Sequence, residues 1–315
     1  MELKRQFKLL NSIFGWVSFA IASLTYLLTM EPTASFWDCS EFISTAFKLE
    51  VGHPPGAALF MIMGRFFTLF AGGNVEHVAI WMNAMSALAS GFTILFLFWT
   101  ITHLARKIVI QNDEYSFSKN MAIIGAGLVG ALAYTFSDTF WFSAVEAEVY
   151  ASSSLFTALV FWAILKWEDR ADEPHANRWL ILIAYLMGLS IGVHLLNLLT
   201  IPALVFVYYF RKYKVTPKGI IVTSIVSILL LALVMYGIIQ GLVLIASKFE
   251  LLFVNGFGLP YASGVIFYLI LLIGLIVWGL LYTFKNNKVT WHTALTMLVV
   301  ILIGYSSVAM IVIRS

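Results

Sequence analysis

Cysteine is almost absent: Cys39 stands alone, which excludes an internal disulfide and any cysteine-built zinc cluster. Charge is scarce as well, at 11% of residues against 61% hydrophobic, and the mean hydropathy is +0.92. A soluble domain of 315 residues cannot hide that much apolar surface, so the surplus must face lipid. The long Leu, Ile, Val and Ala runs lack the polar–apolar alternation that a membrane β-barrel requires. No internal repeat, low-complexity tract or soluble domain is visible. What remains is an all-α, polytopic membrane bundle, with a net charge of +3 that gives no ground for a nucleic-acid partner.

The apolar runs set the spans. A bilayer core of roughly 30 Å takes about 20 residues of helix. Nine spans are predicted at 9–30, 82–104, 120–137, 149–167, 179–193, 195–210, 219–246, 263–284 and 290–313. The first follows a basic start and ends at Glu31-Pro32 without a small-residue cleavage site, so it reads as a retained anchor. Trp179–Phe210 is one unbroken apolar stretch that would make a helix about 48 Å long. A break at Gly192–Asn197 divides it into two short spans and implies a thinned membrane or a cavity sunk into it there.

Cations test this layout, because they gather on the cytoplasmic side. With the N-terminus inside and the C-terminus outside, only Lys48, Arg65, Lys248 and Arg314 of the 19 cations fall outside. The outer side instead collects Asp38, Glu41, Glu146, Glu148 and five further carboxylates. Insertion does not explain that gathering, since carboxylates contribute little to topology. Pro55–Gly72 is apolar, but counting it as a span would reverse every later side, and it contains Arg65. It is predicted to lie at the outer leaflet, within a first outer loop of about residues 31–80. The whole, 1–315, reads as a single transmembrane domain and as the N-terminal part of a longer protein.

Within that loop, Phe42, Ile43, Ala46, Phe47 and Leu49 form a helical stripe, predicting an amphipathic helix over 39–49. Asp38 stands at its start with Glu41 three residues on, a spacing that fits both a capping pair and a catalytic carboxylate. Gly52-His53-Pro54-Pro55-Gly56 makes a rigid turn; His53 there is a phosphate donor, a proton carrier or a solvated interfacial side chain. Glu146 and Glu148, set among aromatics near Tyr150, are costly at the bilayer edge unless used or paired, or else belong to a solvated outer loop with an aromatic belt. His194 and Asn197 sit at the predicted break and are candidates for the same reason, or else satisfied buried polar groups.

Four motifs taken together resemble a known family. They are Trp37-Asp38-Cys39-Ser40-Glu41-Phe42, the Gly52–Gly56 turn, Phe140 through Tyr150, and Gly188-x3-Gly192-Val193-His194-Leu195-Leu196-Asn197. In that order they resemble a bacterial membrane family long catalogued as a domain of unknown function. That family is related to the protein O-mannosyltransferase-like GT-C glycosyltransferases. The resemblance implies a GT-C fold whose first outer loop carries an essential acid, here Asp38. It also implies inverting transfer of a hexose, mannose by this likeness, from a polyprenyl phosphate to a protein or glycan hydroxyl. Glu41 would assist, although the protein mannosyltransferases place their two acids adjacent. His194, Arg65 and His53 would meet the donor phosphate, and Glu146, Glu148, Tyr150, Asn197 and Trp37 the sugar or acceptor. No cofactor is implied, though the outer carboxylates could hold a divalent cation. The expected location is a bacterial inner membrane with the active site facing the periplasm. A transporter or flippase of lipid-linked sugars would instead show an inverted repeat, and a non-catalytic scaffold would tolerate Asp38→Asn.

Overall fold

The computed structural model describes residues 2–54 and 56–308, and every regular element among them is a helix. The predicted end of the last span, Arg314 and Pro55 lie outside the described residues. The chain begins with α1 (Glu2–Thr29), which starts within the basic segment because Lys4, Arg5 and Lys8 are themselves good helix formers. Two shorter helices follow, α2 (Cys39–Lys48) and α3 (Ala58–Thr68). Then come α4 (Val78–Val109), α5 (Phe117–Thr135), the short α6 (Asp138–Ala144) and α7 (Val149–Arg170). The remainder is α8 (Asn177–Ile191), α9 (Ile201–Lys212), α10 (Pro217–Ala232), α11 (Leu242–Leu251), α12 (Ser263–Lys285) and α13 (Val289–Tyr305).

Eight continuous helical stretches among the described residues are long and apolar enough to cross a membrane, and α3 and α8 are shorter apolar helices. The nine predicted spans correspond to these eight together with α8. The predicted break is present: α8 stops at Ile191, His194 is extended, and a 3₁₀ turn over Leu195–Thr200 leads into α9. Local polar groups hold it. His194 Nδ1 accepts from Leu196 N at 3.1 Å, and Asn197 Nδ2 donates to Ser190 Oγ at 2.8 Å. The freed Gly192 carbonyl accepts from Leu59 N at 2.7 Å, which docks the start of α3 on the break.

The seventh predicted span, 219–246, is too short. Pro217–Gly256 runs as one 40-residue helix containing π-helical stretches at Leu233–Gly241 and Leu252–Gly256. No proline interrupts it before Pro260, so polar Lys248 and Glu250 extend the helix rather than end it. Glu250 then accepts from Ala262 N at 2.6 Å and Val265 N at 3.0 Å, satisfying the first turn of α12.

α4 is the central element, with 67% of its spanning window buried against 6% for the α10–α11 stretch. It packs against α1, α5 and α7, and Met82, Ile94 and Phe98 on it are fully enclosed. Asn83 on α4 donates to the Glu31 and Thr33 carbonyls at 2.6 and 3.0 Å, and Glu31 N donates to Val145 O at 3.0 Å. These bonds tie the segment after α1 to α4 and α6. They deliver residues 35–41 to the end of the bundle where α4 and α7 begin.

Candidate active site

Two adjoining hollows open at that end. One, of about 410 Å³, is lined by Asp38, His53, Glu148, Tyr150, His194 and Tyr305 among others. The second, of about 320 Å³, takes in Trp37, Asp38, Glu146, Glu148 and Tyr150. Asp38, Glu148 and Tyr150 are common to both, and with His53 and His194 in the larger hollow all four motifs meet at one place.

The capping reading of Asp38 does not hold. It occupies the position before α2, but its side chain accepts no backbone N–H. With ψ near 1° it lacks the extended conformation that aims a capping oxygen back at the helix. Glu41 does not close a capping box either. Its Oε1 accepts from His53 N at 2.5 Å and its Oε2 lies 3.1 Å from His53 Nδ1. Gly52 permits this approach, since a Cβ there would stand 3.1 Å from Glu41 Oε1. The His53 N–H, and then the imidazole, hold the Glu41 carboxyl below the usual carboxylate range. His53 Nε2 in turn lies 3.8 Å from Asp38 Oδ2, so one imidazole joins the two acids. Asp38, Glu41 and His53 offer ligand atoms within 4.8 Å of one another, a donor set able to hold a divalent cation.

Burial separates the carboxylates. The Asp38 side chain is 55% exposed, whereas Glu146 and Glu148 are only 3% and 4% exposed. Burial raises both of the latter above the usual range, and for Glu148 the neighbouring Asp38 and Glu146 add to it. The Cys39 thiol sits 3.7 Å from Glu148 Oε1 as a weak donor, and burial followed by Glu146 and Glu148 pushes it up, keeping it protonated. Trp37 takes φ 60° while 82% exposed. A left-handed conformation at an exposed aromatic beside Asp38 marks strain at the rim.

A carboxyl raised in the fold binds protons that the unfolded chain has released, so stability falls as pH rises from the ordinary carboxylate range through the raised value. Glu148→Gln keeps an acceptor for Cys39 and removes that penalty. Thermal unfolding from about pH 5 to about pH 8 should show the variant melting higher than wild type at the alkaline end. Glu41 adds no slope in that window, because its lowered carboxyl is already ionised there. A variant that melts with the wild-type pH dependence would assign the burial penalty elsewhere.

His194 lines the larger hollow, its Nδ1 accepts from Leu196 N, and its ring centre is 5.5 Å from that of Tyr150. Arg65 and Asn197 stand apart from both hollows. Arg65 donates to Phe47 O at 2.6 Å, fastening α3 to the end of α2. Asn197 is fully buried within the break. Cys39 and Tyr305 were not foreseen as wall or support residues. The place of Cys39 beside Asp38 was a usable signal, whereas nothing in the apolar run around Tyr305 pointed to the hollow.

Residues 38–217 match the family model described as Protein O-mannosyl-transferase TMEM260 N-terminal domain. Protein O-mannosyl-transferase tmem260 of Dictyostelium discoideum is 26% identical over 198 residues, covering 61% of this chain and 22% of that protein. Protein O-mannosyl-transferase TMEM260 of Mus musculus is 27% identical over 174 residues, covering 55% of this chain and 22% of its own length. The chain therefore spans about a fifth of the length of these relatives. No solved structure matches it significantly. The matched segment opens on Asp38 and contains Glu41, His53, Glu146, Glu148, Tyr150 and His194, every one of them at the hollows or bonded to a residue there. With more than half of its residues in the match, the chain belongs to the Protein O-mannosyl-transferase TMEM260 N-terminal domain family.

Proposed function

We propose that this chain carries the transfer site of a membrane O-mannosyltransferase of the inverting GT-C type. The donor is a polyprenyl-phosphate mannose and the acceptor a Ser or Thr hydroxyl of exported proteins. The observation that supports this best is one reachable carboxylate, Asp38, sharing its hollows with two buried ones, Glu146 and Glu148. Asp38 acts as general base on the acceptor hydroxyl while the acceptor oxygen attacks C1 of the sugar and the phosphate leaves. The Nε2 of His194 meets the phosphate where its charge develops. Glu146, Glu148 and Tyr150 take sugar hydroxyls, and Trp37 offers a face to the sugar or acceptor at the rim. Glu41 orients His53, which orients Asp38. The active end faces away from the cytoplasm, which in a bacterial inner membrane is the periplasm.

The test is an assay of the purified protein with polyprenyl-phosphate mannose and a Ser/Thr-rich peptide, followed by determination of the anomeric configuration of the product. Mannosylated peptide of inverted configuration is the expected result. His194→Ala should raise the donor KM by about tenfold or more, as removal of a charge-assisted phosphate contact does, with the peptide KM unchanged. A retained anomeric configuration would overturn the single-displacement reading. Absence of product from the folded protein under all donors would favour a transport or scaffold role.

A further inference from the structure

A third hollow, of about 710 Å³, lies at the opposite end of the bundle, where α1 begins and α4 and α7 end. Glu148 and Lys166 lie eighteen residues apart along α7 and its cap, so about 27 Å separates the two ends. Lys4 and Lys8 from α1, Arg106 from α4, and Lys166 and Arg170 from α7 contribute to its wall. Its carboxylates are Asp169 and Glu173, two against five cations.

Two of those cations are already engaged. Lys4 donates to both carboxylate oxygens of Asp113 at 2.8 and 2.7 Å, and Arg106 to those of Asp169 at 3.0 and 2.9 Å. Lys8, Lys166 and Arg170 form no ion pair among the described residues. Lys166 and Arg170 rest over the rings of Trp162 and Trp179 at 5.2 and 5.9 Å, which holds them in place without neutralising them. With five cations against two carboxylates on its wall, the concavity holds a net positive potential, even though Asp169 also acts on Lys166.

Buried polar atoms on the same wall are also left without partners. His103 is 9% exposed, and its Nε2 has no hydrogen bond. Glu168 lies 3.6 Å from this nitrogen and is engaged by Lys107, and Asp169 lies 3.6 Å from Nδ1 and is engaged by Arg106. Asn11 Oδ1 is likewise enclosed and unbonded. An unmet donor or acceptor at such a site is costly, so a ligand that satisfies both kinds gains by binding. Phe7 and Trp99 give the hollow an apolar side.

We infer that this hollow binds a phosphate ester bearing a free hydroxyl. The phosphate oxygens take Lys8, Lys166 and Arg170, and the hydroxyl donates to Asn11 Oδ1 while accepting from His103. The chemistry is shared by the headgroup of a glycerol-phosphate lipid and by free glycerol phosphate. The site is separate from the Asp38 hollows and does not depend on the transfer reaction.

The experiment measures lipid retention by the full chain in phosphatidylcholine nanodiscs doped with phosphatidylglycerol, comparing wild type with Lys8→Gln/Arg170→Gln. Loss of two charge-assisted contacts should weaken phosphatidylglycerol binding by about tenfold or more, leaving phosphatidylcholine retention unchanged. Lys285→Gln, an exposed cation on α12, should bind as wild type. In a second arm, glycerol phosphate is added to the loaded protein. Displacement of the lipid shows that the free ester is recognised too, and its failure assigns the site to the membrane lipid. Both positions are exposed, so the fold should tolerate the change; if the double variant melts early, Lys8→Glu alone supplies the comparison. Equal phosphatidylglycerol binding by wild type and a folded variant would overturn the inference, as would an equal loss in Lys285→Gln.

Discussion

Asp38→Asn is expected to lower mannosyl transfer by about 10²–10⁴-fold, the contribution of a positioned general base, and to leave the melting temperature where it was. The two halves of that result come from different facts. Asn cannot accept the hydroxyl proton, so the chemical step loses its base while the hollow keeps its shape. Stability is spared because the Asp38 side chain makes no capping bond and the imidazole of His53 is 3.8 Å away at an exposed site. Exposed pairs of that kind contribute about 0–1 kcal/mol. Kinetic assays with the peptide and calorimetry on the same preparation read both quantities. Full activity in the variant would remove Asp38 from the mechanism and direct attention to Glu148, the other carboxylate common to both hollows. A large fall in melting temperature would instead make Asp38 a structural residue.

The second large effect concerns the fold. Gly188 on α8 and Gly304 on α13 face each other where the two helices cross. A Cβ at Gly188 would lie 2.4 Å from Ile301 O and 2.8 Å from Ile301 Cα, and one at Gly304 would lie 2.6 Å from Leu189 N. Every obstacle is backbone, so no rotamer change relieves the clash. Helices in a membrane associate largely through such close approach, because burial of apolar surface is not gained when lipid already covers it. Gly188→Leu should therefore cost about 1–3 kcal/mol or more, seen as a lower melting temperature in detergent. Activity should fall with it, since α13 brings Tyr305 and the end of α8 brings His194 to the larger hollow. Gly274→Leu is the matched control, as nothing stands within 4 Å of a Cβ there. Unchanged melting of Gly188→Leu would mean that the α8–α13 contact carries little of the stability.

Much of the architecture was legible because each feature depends on a few consecutive residues. Hydropathy alone requires helices across lipid, where every backbone polar group must be bonded internally. The length of Trp179–Phe210 demanded a break, and the polar groups of Gly192–Asn197 supplied its place. The π-helical extension to Gly256 was not legible, since Lys248 and Glu250 look like a loop until the helix is seen to continue past them.

The sequence by itself determined the membrane class, the helical spans, the short broken pair and the interest of the acidic motifs. Hydropathy and breaker residues act locally, so they can be read in order along the chain. Only the tertiary structure decided the partners of those acids. Asp38 and Glu41 have a capping-box spacing, yet the turn at Gly52 brings His53 N–H close enough to draw Glu41 away, and Asp38, with ψ near 1°, makes no side-chain capping bond. Arg65, equally charged and nearby in the chain, was taken up by the Phe47 carbonyl. Glu148, distant by more than a hundred residues, became Asp38's neighbour because α4 holds the segment after α1 against the start of α7. A hydrogen bond is decided by distance in space over a few ångströms, and spacing along a chain does not encode that distance across a bundle.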